Sequence, residues 1–501
     1  MSEEQIPPQE EDDLYETRLS KLKGLIDTGK NPYHKSFKKK HTAMQLLALE
    51  EADFEKEYIL AGRIRTKRIM GKAGFMDLED ETGRIQIYGA GKILEDGYEL
   101  FKHLDLGDII GVYGSVFLTK TGQKTIRLTG FDLLSKCIRP LPVVKEADGK
   151  VFDAFSDKEQ RYRMRYVDMI VNPGVRDNFI IRSRIISEIR SFLTKRGFLE
   201  VETPMMHPIP GGASARPFIT HHNTLDMDLY LRIAPELYLK RLLVGGMPRV
   251  FELNRNFRNE GISFKHNPEF TMLELYEAYG DMHSMMDICE TMISEVAKTL
   301  FGKTKLPYEN HEIELKPSWE RMTYFESIKK YAGVEFSIDM NRHQASELAK
   351  KAGVPKDIID KEPTFWDLVE AVFDEKVEAN LIQPVFITEY PRAISPLAKA
   401  FPDRPEFTER FEVFVAGREV ANAFSELNDP LDQKARFQEQ VNLRESGEGE
   451  GGYMDHDYIR ALEYGMPPAG GMGIGIDRIA MLFTNSHSIK DTILFPLMRP
   501  E

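Results

Sequence analysis

Apolar and polar residues follow a strand-like pattern in two neighbouring segments of the chain, residues 249–257 and 267–279. Because successive side chains of a strand point to opposite faces, this pattern indicates that each segment is a β-strand. The polar stretch that joins them, residues 258–266, predicts a loop and therefore a long hairpin. One face of the second strand would carry Phe270, Met272, Glu274 and Tyr276.

The loop of this hairpin contains residue types that hold polyphosphates. Arg258 supplies a planar guanidinium group, and Glu260 and His266 could help to orient phosphates and a metal bound to them. With Phe270 as an aromatic plate beside them, these residues predict a binding site for ATP. A charged surface hairpin without a ligand is the alternative interpretation of this segment when it is considered alone.

Two further segments have patterns that support a nucleotide site. Residues 179–197 carry apolar side chains at helical spacing, and residues 198–204 predict a short strand that ends at a proline. Downstream, residues 470–483 read as a glycine-rich strand that turns into an apolar helix, with Arg478 near the start of that helix. Glycines in such a strand allow a nucleotide to approach the backbone closely.

The N-terminal third has a different organisation, with short strand-like segments separated by turn signals between residues 58 and 137. Five such strands in a short span predict a small OB-type β-barrel, a fold that stacks nucleic-acid bases on aromatic side chains. The basic run at residues 62–72 would supply positive charge to that surface, although a charge run is more often a solvated face. The predicted organisation is an N-terminal extension (1–56), the barrel (57–137), a linker (138–165) and a catalytic domain (166–501).

Composition is compatible with this organisation. The chain has 501 residues, 42% of them hydrophobic and 29% charged, and a formal net charge of −13, as expected of a globular protein with several domains. No apolar run approaches the roughly 18 residues of a membrane span, so no membrane association is expected. The acidic residues 3–13 predict a solvated tail rather than a signal peptide, and Cys137 and Cys289 lack paired spacing. A cytoplasmic location is therefore expected.

The helix–strand segment, the hairpin and the glycine-rich strand, in this order, resemble motifs 1, 2 and 3 of the class II aminoacyl-tRNA synthetases. The resemblance extends over most of residues 166–501. It implies an α+β fold in which the catalytic domain is built on an antiparallel sheet and follows the OB-type barrel. It also implies a homodimer whose interface contains the motif 1 helix, from about Arg176 to Gly197.

Within this family the chain is most similar to the lysyl-tRNA synthetases, as shown by residues 209–218, 230–241, 422–430 and 494–500. This resemblance implies ATP-dependent ligation of L-lysine to tRNA(Lys) through a lysyl-adenylate, with Mg²⁺ as cofactor. A cationic amino acid would need carboxylates, which the sequence offers. The implied lysine-binding residues are Glu236, Glu274, Tyr276, Asn422, Phe424 and Glu426.

The same resemblance assigns the remaining site residues. Arg258 and Arg478 would be catalytic and would bind ATP together with Glu260, His266 and Phe270, while Glu412 and Glu419 would hold magnesium. Because strict alternation places Asn422 and Glu419 on opposite faces of one strand, both roles require a bulge or twist between them. Phe75 and Gln86 match the base-reading pair of the anticodon-binding barrel. Gly130 stands where many relatives have an acidic residue, which leaves base selectivity from that strand open.

Three alternatives share parts of this pattern. An aspartyl or asparaginyl synthetase has the same architecture but needs a cationic pocket. A protein-lysylating ligase of this fold would lack the barrel. A nucleic-acid-binding protein with a decayed catalytic domain would be expected to have lost Arg258 or Arg478, and both are present.

Overall fold

In a computed structural model of the protein, the described residues are 8–142, 145–147, 150–152, 155–172, 174–446 and 452–500. The chain divides into two compact units, Met1–Asn172 and Pro173–Glu501. Of the acidic tail, residues 1–7 lie outside the described residues, whereas Glu10 to Asp13 belong to the first helix rather than to a frayed end.

The first unit is built around a β-barrel. Its strands are β1 (Tyr58–Met70), β2 (Ala73–Glu79), β3 (Arg84–Ala90), β4 (Ile109–Leu118), β5 (Lys124–Ser135), β6 (Lys145–Ala147) and β7 (Lys150–Phe152). Its α-helices are α1 (Pro8–Asp27), α2 (Ala43–Leu47), α3 (Gly91–Leu94), α4 (Gly97–His103), α5 (Lys158–Arg163) and α6 (Arg165–Val171). The barrel closes in the order β1-β2-β3-β5-β4, with β4 pairing back to β1.

The barrel confirms the strands expected from the sequence, and its alternation explains which side chains face outward. In β2, Met76 and Leu78 point into the hydrophobic core, whereas Phe75 and Asp77 lie on the outer, partly exposed face. Since the inner positions fill the barrel with apolar side chains, the outer face is the surface left for recognition.

The segment predicted to be a linker contains regular structure. The short strands β6 and β7 form a hairpin, and α5 and α6 follow it. The guanidinium group of Arg165 donates a hydrogen bond of 2.7 Å to Asp168, and both residues are buried. Such a satisfied ion pair fixes α6.

The second unit is an α+β domain on a large mixed sheet. Its strands are β8 (Leu199–Glu200), β9 (Met206–His207), β10 (Ile219–His222), β11 (Met227–Leu231), β12 (Arg249–Phe257), β13 (Glu269–Ala278), β14 (Lys305–Tyr308), β15 (His311–Glu314), β16 (Glu320–Thr323), β17 (Val385–Thr388), β18 (Arg410–Val415), β19 (Arg418–Ser425) and β20 (Ala469–Gly475). Its α-helices are α7 (Val175–Lys195), α8 (Glu236–Val244), α9 (Met282–Phe301), α10 (Tyr324–Ala332), α11 (Arg342–Lys351), α12 (Lys356–Ile359), α13 (Phe365–Lys376), α14 (Pro430–Ser446), α15 (His456–Glu463) and α16 (Ile476–Phe483).

Within the described part of this unit, eight strands form one sheet in the order β16-β17-β18-β19-β20-β13-β12-β8. The central pairs, from β17 to β12, are antiparallel, and only the two edge pairs are parallel. On β13, Leu273 and Leu275 enter a core that includes residues of α7, α9 and α16. The opposite face of the same strand carries the residues that the hairpin pattern predicts, so the candidate site lies on the sheet face away from this core.

Candidate active site

Strand register gathers the candidate site on β19, β20 and β13. Gly471 pairs with Phe424 on one side and with Tyr276 on the other, so both aromatic side chains flank a position without a side chain. The next row is formed in the same way by Asn422, Gly473 and Glu274. Strand β20 therefore forms the floor of the candidate site, with functional side chains of β19 on one side and of β13 on the other.

Glycine is required in this floor. A Cβ atom at Gly471 would overlap Oε1 of Glu426 and would lie 2.5 Å from Cε1 of Tyr276. Contacts this short force neighbouring groups to move. The glycine-rich pattern predicted close approach of a nucleotide to the backbone, and at Gly471 the structure shows close approach of a protein carboxylate and an aromatic ring.

A pocket of buried carboxylates lies above this floor. The hydroxyl of Tyr276 donates a hydrogen bond of 3.0 Å to Oε2 of Glu274. Glu236, at the start of α8, and Glu426, just after β19, are also buried. Burial raises the pKa of Glu274 to about 8, with a further contribution from the negative charge of Glu236. Burial likewise raises the pKa of Glu426 to about 8, although the charge of Lys240 opposes the shift.

Lys240 is the main addition that the structure makes to this pocket. Its ammonium group donates a hydrogen bond of 2.6 Å to Oε1 of Glu236 and contacts Oε2 of Glu426. It also lies 5.2 Å from the centre of the Phe424 ring, within the range of a cation–π interaction. The Lys240 side chain is fully buried. Its spacing of four residues from Glu236 on α8 was the sequence signal that could have identified it.

The candidate phosphate-binding corner lies at the loop end of the hairpin. The guanidinium group of Arg258 is 5.2 Å from the centre of the Phe270 ring, and its Nε atom has no hydrogen-bond partner among the described residues. Burial lowers the pKa of Arg258, and nearby Glu419 and Glu260 oppose the shift. Glu260 itself is exposed.

His266 and Arg478 complete this corner. Desolvation and the positive charges of Arg478 and Lys265 lower the pKa of His266, which indicates a locally cationic environment. Nδ1 of His266 lies 3.1 Å from the hydroxyl of Ser263. The guanidinium group of Arg478 donates hydrogen bonds to the backbone oxygen of Glu419 at 2.6 Å and to its carboxylate at 3.0 Å.

Glu412 and Glu419 lie on the hairpin formed by β18 and β19. The register of this hairpin shifts between Val413 and Phe414, so that Val413 faces Ala421 while Phe414 faces Glu419. This irregularity is the bulge that the sequence analysis required. It changes the alternation of β19 between Glu419 and Asn422.

The carboxylate of Glu412 is held by two neighbours. Arg410 donates to it at 2.6 Å and the hydroxyl of Tyr390 donates at 2.9 Å. Burial raises the pKa of Glu412 to about 7, and the charge of Glu419 contributes to the shift. Arg410 also donates to the side-chain oxygen of Asn422 at 3.1 Å, which ties Asn422 to this carboxylate pair. Arg410 was not anticipated, although it is two residues from Glu412 on one strand and shares its face.

This carboxylate pair fits Mg²⁺ in its chemistry. No group of three or more His, Cys, Asp or Glu side chains in the described ranges is arranged to hold a metal. However, Mg²⁺ is commonly held by one or two carboxylates together with substrate phosphates and water. Because each charge of Glu412 and Glu419 disfavours the other, a divalent cation between them would relieve their repulsion.

One buried carboxylate connects the three sequence motifs. Asp477, at the start of α16, accepts a hydrogen bond of 2.7 Å from Arg182 on α7 and another of 2.7 Å from the backbone NH of Thr271 on β13. Asp477 therefore fixes the motif 1 helix and the motif 3 helix to the hairpin strand that carries Phe270.

The barrel of the first unit carries its own candidate site on the outer face. The ring centres of Phe75 and Tyr88 are 5.0 Å apart, and Tyr88 is 5.9 Å from Phe117. Gln86 lies on the same face, where its Oε1 accepts a hydrogen bond of 2.9 Å from Thr125. The sequence analysis identified Phe75 and Gln86 but not the neighbouring rings, whose alternation on β3 and β4 was the available signal.

The basic run at residues 62–72 is partly used inside this unit. Arg63 donates to the backbone oxygen of Gly107 at 2.8 Å, and Arg65 pairs with Glu79 at 2.8 Å. Arg68 is exposed and is the register partner of Phe75 on the outer face. The run therefore supplies less free positive charge than expected, but Arg68 adjoins the aromatic surface.

Family models and individual known proteins that are similar to this chain indicate the same family. The family model "tRNA synthetases class II (D, K and N)" matches residues 157–499, and the model "OB-fold nucleic acid binding domain" matches residues 58–134. The lysine–tRNA ligase of Carboxydothermus hydrogenoformans is 54% identical over 493 residues, which is 98% of this chain and 99% of that protein. The lysine–tRNA ligase of Pelotomaculum thermopropionicum is 54% identical over 489 residues, 97% of this chain and 95% of that protein. That of Halalkalibacterium halodurans is 50% identical over 495 residues, 97% of each chain.

Proposed function

The chain belongs to the lysine–tRNA ligases of the class II tRNA synthetase family, and on this premise we propose how its own residues ligate L-lysine to tRNA(Lys) with ATP. The observation that carries the proposal is the pocket of buried carboxylates formed by Glu236, Glu274 and Glu426, close enough to Arg258 that this cation lowers the pKa of Glu274, with Arg478 close to Arg258. An anionic pocket suits a cationic amino acid, and the two guanidinium groups suit a polyphosphate.

The amino acid is recognised through its two ammonium groups. Glu426 and the hydroxyl of Tyr276 receive the side-chain ammonium, while Glu236 and Glu274 receive the α-amino group. Phe424 covers the aliphatic part of the substrate, and Asn422 shapes the end of the pocket near Glu412. Removing one partner of a buried ion pair leaves a costly charge, about 3–5 kcal/mol. An uncharged isostere of lysine is therefore rejected at binding.

In the first step the lysine carboxylate attacks the α-phosphorus of ATP, forming lysyl-adenylate and releasing pyrophosphate. Arg258 bridges the α-phosphate and the lysine carboxylate, and Phe270 stacks on adenine. Arg478 binds the opposite side of ATP, with Glu260 and His266 orienting the base and the terminal phosphates. Such a reaction depends mainly on positioning and charge neutralisation by fixed groups.

In the second step the terminal ribose hydroxyl of tRNA(Lys), expected to be the 3′ hydroxyl, attacks the carbonyl carbon of the adenylate and releases AMP.

Glu412 and Glu419 would hold Mg²⁺, which supplies charge neutralisation of the phosphates when bound. Arg410 positions the Glu412 carboxylate at 2.6 Å and therefore orients the pair.

The aromatic face of the barrel binds the anticodon. Phe75 stacks on a base, and the Gln86 amide hydrogen-bonds a base edge. Tyr88 extends the stacking surface, since its ring lies 5.0 Å from that of Phe75. Gly130 presents no side chain in β5, so selectivity from that position depends on neighbouring residues.

The assembly is a homodimer formed through α7. The exposed side of this helix carries a shallow groove of about 350 Å³. Ile180 in this groove is 49% exposed and supplies an apolar side chain for a partner to cover. We place the enzyme in the cytoplasm, because Cys137 and Cys289 are both free thiols, as a reducing compartment would keep them. No helix in the described ranges is long and apolar enough to span a membrane.

Exchange of labelled pyrophosphate into ATP, measured with each amino acid in turn, tests this function. The protein should catalyse exchange with lysine, require Mg²⁺ and show no exchange with aspartate or asparagine. An aspartyl synthetase would need a free cation in its pocket to bind the aspartate side chain. The cation in this pocket, Lys240, is already bound by Glu236 and Glu426. Exchange driven by aspartate would refute the assignment.

A further inference from the structure

The lysine pocket contains a cation of its own. Lys240 is fully buried on α8, and its ammonium group is bound by Glu236 at 2.6 Å and by Glu426. Two of the carboxylates proposed to recognise substrate therefore already share an internal lysine. A cation in an amino acid pocket that recognises cations needs an explanation, because it competes with the substrate for the same carboxylates.

The geometry divides the oxygens of Glu426 between two roles. Its Oε2 is in ion-pair contact with Lys240, whereas its Oε1 lies directly over Gly471, and neither oxygen has a further hydrogen-bond partner among the described residues. The ring of Tyr276 borders the same position, since a Cβ atom at Gly471 would lie 2.5 Å from its Cε1. Lys240 thus holds one oxygen of the carboxylate and leaves the other directed into the pocket.

The charges of the occupied pocket balance only when Lys240 is included. Glu236, Glu274 and Glu426 carry three negative charges when all are ionised. The two ammonium groups of bound lysine supply two positive charges, and Lys240 supplies the third, while the carboxylate of bound lysine is balanced by Arg258. Without it, the bound complex would bury one uncompensated carboxylate, which would take up a proton instead.

We propose that Lys240 is a positioning and specificity-determining residue of the lysine pocket: it favours the ionised form of Glu426 and aims the free oxygen of that carboxylate at the side-chain ammonium of the substrate. The inference deepens the proposed function and rests on it. Lys240 itself takes no part in the chemistry, because its ammonium group is enclosed by protein. Its role is to set the charge and the direction of a carboxylate that does contact the substrate.

The groups that determine the ionisation of Glu426 come from several elements. Lys240 lowers the pKa of Glu426 against the effect of burial, and Glu236 and Glu274 raise it. The hydroxyl of Tyr458, on α15, lies in the same buried region without a hydrogen-bond partner among the described residues. The charged and titratable groups facing Lys240 and Glu426 are Glu236 from α8, Glu274 and Tyr276 from β13, and Tyr458 from α15.

The test is the pH dependence of lysine KM and kcat in pyrophosphate exchange, compared between the wild-type enzyme and Lys240→Gln. Glutamine keeps a hydrogen-bond donor for the carboxylates but carries no charge, so the fold is preserved better than in Lys240→Met. Loss of the positive charge raises the pKa of Glu426 further. The pH at which KM reaches its low plateau should move upward by about one unit or more, and KM at pH 7 should rise about tenfold for each unit. The kcat at saturating lysine should change only a few-fold.

Two further variants make the result specific. Lys240→Arg keeps the charge and should restore the wild-type pH midpoint, even if its larger group reduces kcat. Arg241→Gln removes the neighbouring cation of α8, whose partner is Asp455 at 2.9 Å, and should leave the midpoint unchanged. A thermal melt of each variant measures its stability separately from the pH profile.

The outcomes separate this inference from the function on which it rests. A wild-type enzyme without lysine-dependent exchange would remove the proposed function. An active Lys240→Gln enzyme with the wild-type midpoint would overturn the role of Lys240 alone, whatever its melting temperature. An equal shift in Arg241→Gln would also overturn it, because any cation of α8 would then have the same effect.

Discussion

Arg258 shows how a single side chain is prepared for a ligand. It is partly enclosed, its Nε atom has no hydrogen-bond partner among the described residues, and its guanidinium group lies 5.2 Å from the ring centre of Phe270. A buried donor without a partner is destabilising, and burial accordingly lowers the pKa of Arg258. Such a group gains most when a carboxylate and a phosphate arrive together.

Replacing this side chain tests its proposed role. Arg258→Ala should lower the rate of adenylate formation by about a hundredfold or more, because one donor to developing charge is lost. Pyrophosphate exchange measures the rate, and circular dichroism measures the fold, which should be retained. Arg255→Ala is the matched control, since Arg255 is on the same hairpin but forms a surface pair with Glu269 at 3.5 Å. An unaltered rate in Arg258→Ala would exclude it from the site.

The raised pKa values of Glu274 and Glu426, both about 8, predict that lysine binding releases protons. Below pH 8 these carboxylates are largely protonated in the substrate-free protein, and an ammonium group favours their ionised form. The contribution of these two carboxylates to folding stability is fully present below their unfolded pKa, about 4.3, and is lost as pH rises through 8.

Isothermal titration calorimetry of lysine in two buffers with different ionisation enthalpies measures the proton release. Release should be clear at pH 7, decrease through pH 8 and be close to zero above about pH 9. Glu426→Gln should reduce it. Proton uptake at pH 7, or a release independent of pH, would contradict the assignment of these carboxylates to the lysine pocket.

At the scale of elements, β20 serves as the floor of the pocket because it lacks side chains on one face. Gly471→Ala places a Cβ atom against Glu426 and Tyr276, whereas a Cβ atom at Gly473 would meet mainly the terminal methyl of Met272, at 2.7 Å. A flexible methionine end can move, but a buried carboxylate held by Lys240 cannot move easily.

Gly471→Ala should therefore raise lysine KM by about one to two orders of magnitude, on the scale of 1–3 kcal/mol for overpacking a well-packed site. Gly473→Ala should raise it much less. Pyrophosphate exchange at varied lysine gives both values, and an equal effect of the two substitutions would show that β20 tolerates side chains generally.

Features set by residues close together in the chain could be predicted from the sequence, whereas contacts between distant residues could not. The hairpin from Arg249 to Ala278 and the barrel strands were predictable, because alternation and turn residues are local signals. The bulge opposite Val413 was predictable only because two roles had to fit on one strand. The contact of Lys240 with Glu426 was not, since Glu426 lies far along the chain, whereas the pair of Lys240 with Glu236 is local to α8. The secondary structure between residues 145 and 171 was missed because charged residues dominate its sequence.

Helix α7 carries the prediction on assembly. Its buried side includes Ile185 and Ile189, whereas Ile180 is largely exposed on the other side. Ile180→Asp should convert a dimer to a monomer, because a charge cannot be buried in an apolar contact without a partner. Sedimentation velocity measures the mass. Leu443→Asp, an exposed apolar position on α14, is the control and should leave the dimer intact. An active wild-type monomer would refute the prediction.

For the whole molecule, a net charge of −13 does not conflict with binding of tRNA, because affinity depends on where cations are placed. Exposed Arg68 lies beside Phe75 on the outer face of the barrel, and Arg127 lies 4.6 Å from the ring centre of Phe117. This face combines stacking rings with guanidinium groups in one unit. The residues proposed to form the adenylate belong to the other unit. The two steps of the reaction should therefore be separable by mutation.

Phe75→Ala tests this separation. Losing one stacking plate costs about 1–3 kcal/mol per base, so tRNA charging at limiting tRNA should fall about tenfold or more. Pyrophosphate exchange without tRNA should remain unchanged, because Phe75 lies on the outer face of β2 and is not one of the residues proposed to bind lysine or ATP. Met76→Ala is the matched control: its side chain is in the barrel core, so it should lower the melting temperature, which Phe75→Ala should not. If Phe75→Ala depressed both activities equally, its ring would serve the stability of the protein and the anticodon surface would lie elsewhere.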